Sequence, residues 1–127
     1  MSLSLVEPVK RIGKYSKICK RSEYLDVQSS GARFKQRHLM MLYTSSTDSV
    51  EAVDTKFGIT VSRKVGNAVV RNRVKRRLRE VIRNGNFTLP GAWKVVIIAR
   101  PCAANVSYRV LEKDFVGFTS WLSKRAS

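Results

Sequence analysis

The stretch VSRKVGNAVVRNRVKRRLREVIRNG, residues 61–85, holds nine Lys or Arg: Arg63, Lys64, Arg71, Arg73, Lys75, Arg76, Arg77, Arg79 and Arg83. Its single acid is Glu80, so this one segment carries +8 of the formal +16 of the chain. Val70, Val74, Leu78, Val81 and Ile82 recur three and four apart, which gives a narrow apolar stripe able to face a core. Off that stripe the segment is mostly basic. Asn67 stands where an N-cap bonds the first free backbone amides, and Gly85 stands where a left-handed residue commonly ends a helix. The spacing predicts a helix over residues 68–84.

Arg71, Lys75 and Arg79 lie at i, i+4 and i+8 and form a cationic row along one side of that helix, flanked by Asn72, Arg76 and Arg83. Like charges at these spacings destabilise an isolated helix by a few tenths of a kcal/mol per pair, roughly the inverse of a favourable pair. A polyanion removes that repulsion. Seven of the nine cations are Arg, whose planar fork matches phosphate bidentately. Solvated helix faces normally interleave both signs. This one does not, which points to nucleic acid.

The 127 residues fit one domain, here read as a single RNA-binding domain over residues 1–127. Cys19 and Cys102 have neither metal-ligand spacing nor the density of a disulfide scaffold, so each reads as a buried, inert thiol in a reducing compartment. No apolar run near the N-terminus is long enough for a signal peptide, and no span approaches twenty apolar residues. A cytoplasmic protein is expected. The basic helix also lacks the broad Trp/Phe/Leu face of an interfacial helix, so RNA or DNA is a better partner than a membrane. No obligate protein partner is evident.

Residues 1–17, broken by Pro8 and Gly13, read as an irregular basic arm. Ser22 caps a short helix that ends at Gly31. Residues 34–44 alternate, with Leu39, Met41 and Tyr43 opposed to Met40 and Leu42, and read as one strand; the polar residues 45–55 then form a loop. Phe57, Ile59 and Val61 alternate in a second strand that delivers Arg63 and Lys64 to the rim of the basic helix. After turn chemistry at Leu89-Pro90-Gly91, the apolar run 93–99 is a strand buried in a sheet. Arg100-Pro101 stops it. Ser107 or Asn105 caps a last helix whose Tyr108, Leu111, Phe115, Phe118 and Leu122 make a core stripe. Helices packed on a small sheet give an α/β (α+β) two-layer sandwich.

Nothing in the chain reads as a protein nuclease. Metal-assisted phosphodiester cleavage needs several carboxylates converging on two ions about 4 Å apart, and the nine acids are scattered. His38 is the only histidine, and VGNA lacks the Gly and Lys spacing of a phosphate-cradling loop. No catalytic or metal-ligating residue is assigned. Composition alone suits a ribosomal or other structural RNA-binding protein equally well.

The motif separates these readings. SRKVGNAVVRNRVKRRLRE, with Arg71-Asn72-Arg73 preceded by Val65-Gly66-Asn67-Ala68, resembles the signature of the bacterial ribonuclease P protein subunit. Tyr24 to Gly31 resembles the family's first helix, Phe57 to Ser62 its strand before the motif, and Val96 to Pro101 its later strand. The resemblance implies a fold like the second domain of ribosomal protein S5: a small mixed sheet of about four strands with three helices, the fourth strand arising by a split of the Phe34 to Val65 region or from its loop. It also implies a left-handed βαβ crossover around the basic helix, against the usual right-handed expectation. It further implies a ribonucleoprotein endonuclease (a hydrolase of transfer RNA processing) whose catalytic RNA removes the 5′ leader of precursor transfer RNA with magnesium ions. Matched to the motif, Arg63, Lys64, Asn67, Arg71, Asn72, Lys75, Arg76 and Arg79 would bind the catalytic RNA. Tyr24, Phe34 and Arg100 match the cleft that takes the leader. Where many members carry a second aromatic one turn after the first, this chain has Gln28.

Overall fold

The computed structural model describes residues 11–12, 15–18, 21–45, 55–85 and 93–126. In chain order the elements are β1 (Arg11–Ile12), β2 (Tyr15–Lys17), α1 (Arg21–Ser30), β3 (Ala32–Lys35), β4 (Leu39–Ser45) and β5 (Lys56–Val61). They continue with α2 (Ala68–Asn84), β6 (Trp93–Ala99), a 3₁₀ turn (Pro101–Asn105) and α3 (Tyr108–Ala126). The strands form one mixed sheet in the order β1-β2-β5-β6-β4-β3. β5 runs parallel to both β2 and β6, while β3, β4 and β6 pair antiparallel. Four longer strands and three helices make the expected α+β sandwich, and the short β1 and β2 extend its edge.

Strand alternation sorts the apolar residues onto two faces. One face carries Leu39, Met41, Tyr43, Phe57, Val61, Val95, Ile97 and Ala99. Against it pack Val74, Leu78, Val81 and Ile82 of α2 with Leu111, Phe115, Phe118 and Leu122 of α3. The other face is covered over a smaller area, where Leu42 and Val96 meet Ile18 and Val27. α1 is therefore alone on its side of the sheet among the described helices.

Several expectations are corrected. Residues 34–44 are not one strand: Gln36-Arg37-His38 breaks them into the antiparallel hairpin of β3 and β4. The turn is closed by one local bond and held by partners distant in sequence. The Gln36 amide bonds the Leu39 carbonyl at 2.8 Å, and the Arg100 amide bonds the His38 carbonyl at 3.0 Å. Arg100 Nη1 donates to the Gln36 carbonyl at 3.0 Å, and Cys102 Sγ to the Arg37 carbonyl at 3.0 Å. Cys102 is thus exposed rather than buried. Residues 11–12 and 15–17 are strands rather than part of an irregular arm. α1 starts at Arg21 instead of after Ser22. Gly85 is extended at φ −67°, not left-handed, and its amide bonds the Ile82 carbonyl. The arm's residues 1–10, Cys19, most of the expected loop (46–54) and the turn at Leu89-Pro90-Gly91 lie outside the described residues.

Candidate nucleic-acid interface

α2 occupies the span its caps and stripe predict, Ala68–Asn84, and Asn67 Oδ1 accepts from the Val70 amide at 3.0 Å. Asn67 is therefore engaged as a cap. The turn that precedes it carries Arg63 and Lys64, both exposed, and closes through the Val65 amide on the Ser62 carbonyl at 3.1 Å. Gly66 has φ +158°, and a Cβ placed there would sit 2.9 Å from Val70 Cγ1. Arg71 Nε donates to the Gly66 carbonyl at 3.2 Å. One arginine thus fixes the turn that presents two other cations.

The polar residues of α2 divide by flank. Asn72, Arg76, Arg79 and Arg83 are exposed, with Arg71 and Lys75 half-buried beside them. This is the predicted row and its flanking residues. On the side facing α3, Arg77 Nη1 donates to the Val106 carbonyl at 2.9 Å, and Tyr108 Oη donates to the Glu80 carbonyl at 3.4 Å. Arg77 therefore ties α2 to the start of α3. Glu80 reaches Arg83 at 4.0 Å, a distance and exposure at which an ion pair contributes little.

On the opposite face of the sheet the register defines two rows that cross the strands. Arg33, Leu42, Val96 and Gly58 form one, and Lys35, Met40, Ile98 and Thr60 form the next. α1 lies over the first row. The Tyr24 ring rests on Gly58, where a Cβ would come within 2.8 Å of its hydroxyl, and Val27 packs with Leu42 and Val96. The second row is open: Met40 and Ile98 are half-buried, and Lys35 and Thr60 are exposed. Gln28, four residues after Tyr24 and exposed, shares Tyr24's flank of the helix. The result is a trough with an apolar floor and a tyrosine in its wall. Arg100, two residues beyond Ile98 and exposed, stands at its rim.

Phe34 is not in this trough. Its register partner is Met41, and its ring packs at 5.5 Å from Phe118 and 4.6 Å from Trp121, on the α3 side of the sheet. The expectation that Tyr24 and Phe34 share a cleft is corrected: the sheet separates them. Conversely, Gly58, Met40 and Ile98 build the trough and were not singled out from the sequence. Small and aliphatic residues at strand positions carry no chemical signature. Only their register reveals them.

Arg63 and Lys64 follow β5, and Arg100 follows the parallel β6, so all three come to the same end of the sheet. The basic face of α2 and the rim of the trough are thereby linked by exposed cations. Among the described residues no three His, Cys, Asp or Glu side chains come together to hold a metal ion. No helix among them is long and apolar enough to cross a membrane.

A family model described as Ribonuclease P matches residues 12–122. The ribonuclease P protein component of Geotalea uraniireducens (strain Rf4) is 37% identical over 111 residues, covering 87% of this chain and 94% of that protein. That of Ruegeria pomeroyi is 43% identical over 86 residues, covering 65% of each. The RNase P protein of Thermotoga maritima superposes with a TM-score of 0.70 at 21% identity, over 82% of this chain and 94% of that one. The Staphylococcus aureus RNase P protein gives 0.67 at 23% identity, over 87% and 94%. These two structures share the fold.

Proposed function

The chain belongs to the ribonuclease P protein family, and from that premise we propose that it binds the catalytic RNA through α2 and the 5′ leader of precursor transfer RNA through the trough. As a ribonuclease P protein component it serves the endoribonuclease that forms transfer RNA 5′ ends. The observation that carries the reading is the exposed face of α2, where Asn72, Arg76, Arg79 and Arg83 stand together and the one acid of the helix, Glu80, reaches only Arg83, at 4.0 Å. Such a face neutralises a phosphate backbone and gives binding that weakens steeply with salt.

Tyr24 supplies the trough with a ring against which an unstacked base can lie, worth about 1–3 kcal/mol per base. Arg100 at the rim places a fork beside the same strand. Magnesium ions enter this reading through the RNA, as the resemblance to the family implies. The chain's part in catalysis is to bind and orient, and its place of action is the cytoplasm.

Rigorously RNA-free protein, incubated with labelled precursor transfer RNA, should leave the substrate intact. Adding a bacterial ribonuclease P RNA at low magnesium should restore cleavage at the mature 5′ end. Metal-dependent cleavage by the protein alone would overturn the assignment of catalysis to the RNA. A failure of the protein to stimulate the RNA would overturn the reading as a whole.

A further inference from the structure

Among the described strands, β3 lies at one of the two edges of the sheet, opposite β1. Its two cations, Arg33 and Lys35, are exposed, and their partners across the ladder are Leu42 and Met40. Both side chains therefore leave the sheet on the α1 face, the same face as Tyr24 and Ile98. Lys35 is the terminal member of the open row Lys35, Met40, Ile98, Thr60, and Arg33 ends the row beneath α1. From β5 to β3 the row crosses three strand spacings, about 14 Å, which is the rise of about four stacked nucleotides. The β5 end of the trough leads to Arg63 and Lys64, and its other end stops at these two cations. Near them the hairpin turn is fixed by Arg100 on the Gln36 carbonyl and Cys102 on the Arg37 carbonyl.

We propose that Arg33 and Lys35 form a distal phosphate-binding station, which takes the backbone of a single-stranded leader after it has crossed the trough. The inference rests on the leader reading above and adds a direction: the strand runs across the sheet from β5 toward β3. The station serves nucleotides farther from the cleavage site than those beside Tyr24. Short leaders do not reach it, and long ones do.

Charged residues on an edge strand also have an ordinary purpose, since they stop another chain from adding to the sheet. Charge reversal separates the two roles. Glu at both positions guards the edge as well as Arg and Lys do, yet repels phosphate. The experiment measures the affinity of the holoenzyme for precursor transfer RNAs with leaders of none, two and about eight nucleotides. It compares the wild type, the double variant Arg33→Glu/Lys35→Glu and the charge-conserving exchange Arg33→Lys/Lys35→Arg.

The wild type should gain affinity with the short leader and again with the long one. The Glu variant should keep the first gain and its affinity for the catalytic RNA, and lose the second gain. With two single-strand phosphate contacts removed, its log-log salt slope for the long leader should fall by about 1.4, roughly a sevenfold difference between 50 and 200 mM salt. The exchange variant should behave as the wild type, and thermal melts of all three should coincide. If the Glu variant retains the long-leader gain, or the wild type shows no second gain, the station does not exist and the two cations guard the edge. If the wild type shows no leader dependence at all, the leader reading fails and takes this inference with it. A Glu variant that melts early is replaced by the single variant Lys35→Glu, for which half the change in slope is expected and an unchanged slope is fatal to the proposal.

Discussion

Asp26 of α1 and Lys94 of β6 meet at 3.4 Å across the seam between helix and sheet, on the flank of α1 away from Gln28. The Lys94 side chain is 9% exposed and that of Asp26 46%. The pair is lopsided, because the ammonium is nearly withdrawn from water while the carboxylate is not. Few apolar residues dock α1, so this contact helps set the angle at which Tyr24 overlies Gly58. Removing the acid leaves a buried cation with less compensation, whereas removing the cation leaves an acid that water can reach. Asp26→Ala should therefore destabilise the fold by about 1–2 kcal/mol, between the values for buried and exposed pairs. Lys94→Met should be close to neutral. Urea denaturation of both variants is the check, and equal losses would show that the pair is merely adjacent.

Arg77 and Arg79 stand two apart on α2 and serve different ends. Arg77 donates to the Val106 carbonyl and is half-buried, while Arg79 is exposed on the basic face. Arg77→Ala should lower stability by about 1 kcal/mol, the net worth of one such hydrogen bond, and leave the salt dependence of catalytic-RNA binding as it was. Arg79→Ala should leave stability within about 0.5 kcal/mol and reduce the log-log salt slope by roughly one. Melting curves and salt titrations on the same two proteins decide the matter. A common response in both assays would mean that the helix does not divide its cations by flank.

A methyl group at Gly58 would fall 2.8 Å from the Tyr24 hydroxyl and 3.0 Å from its ring carbons. These atoms are the far end of a side chain that can swing aside, so Gly58→Ala should fold, with its melting temperature little changed. The displaced ring would no longer line the trough. Affinity for precursor with a leader should drop toward that for mature transfer RNA, by up to the value of one stacked base, about 1–3 kcal/mol. Binding of the catalytic RNA should be untouched. Unaltered discrimination between precursor and mature substrate would show that the position of Tyr24 does not matter.

The contrast between α2 and the β3–β4 hairpin shows which features were legible in the sequence. α2 announces itself locally: Asn67 caps it, the stripe from Val70 to Ile82 gives its period, and the predicted bounds of 68–84 are those found. The turn at Gln36-Arg37-His38 has no Gly, Pro, Asn or Asp to mark it. It exists because Arg100, Cys102 and Asp114, all more than sixty residues away, bind its carbonyls and the His38 ring. A strand read straight through that turn puts Phe34 in phase with Met40 and Leu42, on the α1 face. The turn resets the phase, so Phe34 pairs with Met41 and faces α3. That one turn accounts for the strand count and for the side of the sheet on which Phe34, matched to the cleft by resemblance alone, is found.

That correction is itself testable. Phe34 lies against Phe118 and Trp121 and is half-buried. Phe34→Ala should cost about 2 kcal/mol of stability, below the 3–5 expected for a fully buried ring, and the folded protein should bind leaders as the wild type does. A stable Phe34→Ala variant with selective loss of leader binding would return the ring to the trough.

Tyr24 and Gln28 occupy the same flank of α1 one turn apart, above the open row that includes Met40 and Ile98. A base lying on Tyr24 would have its neighbour opposite Gln28, whose amide gives up the stacking that a second ring would provide. Tyr24→Leu keeps an apolar side chain over Gly58, so the fold should hold while precursor binding weakens by about 1 kcal/mol or more. Mature transfer RNA should bind the variant holoenzyme as before. Gln28→Phe should act in the opposite sense and tighten precursor binding by a similar amount. Since Gln28 is exposed, the new ring has room and need not disturb Val27 beneath it. Titrations of wild type and both variants, with and without the leader, give the two differences, and thermal melts exclude misfolding. Should Tyr24→Leu weaken precursor and mature transfer RNA equally, or collapse the melting temperature, the ring belongs to the packing of α1 on the sheet. Should Gln28→Phe bind no tighter, the leader does not pass along this flank of the helix, and the wall of the trough has no part in holding it.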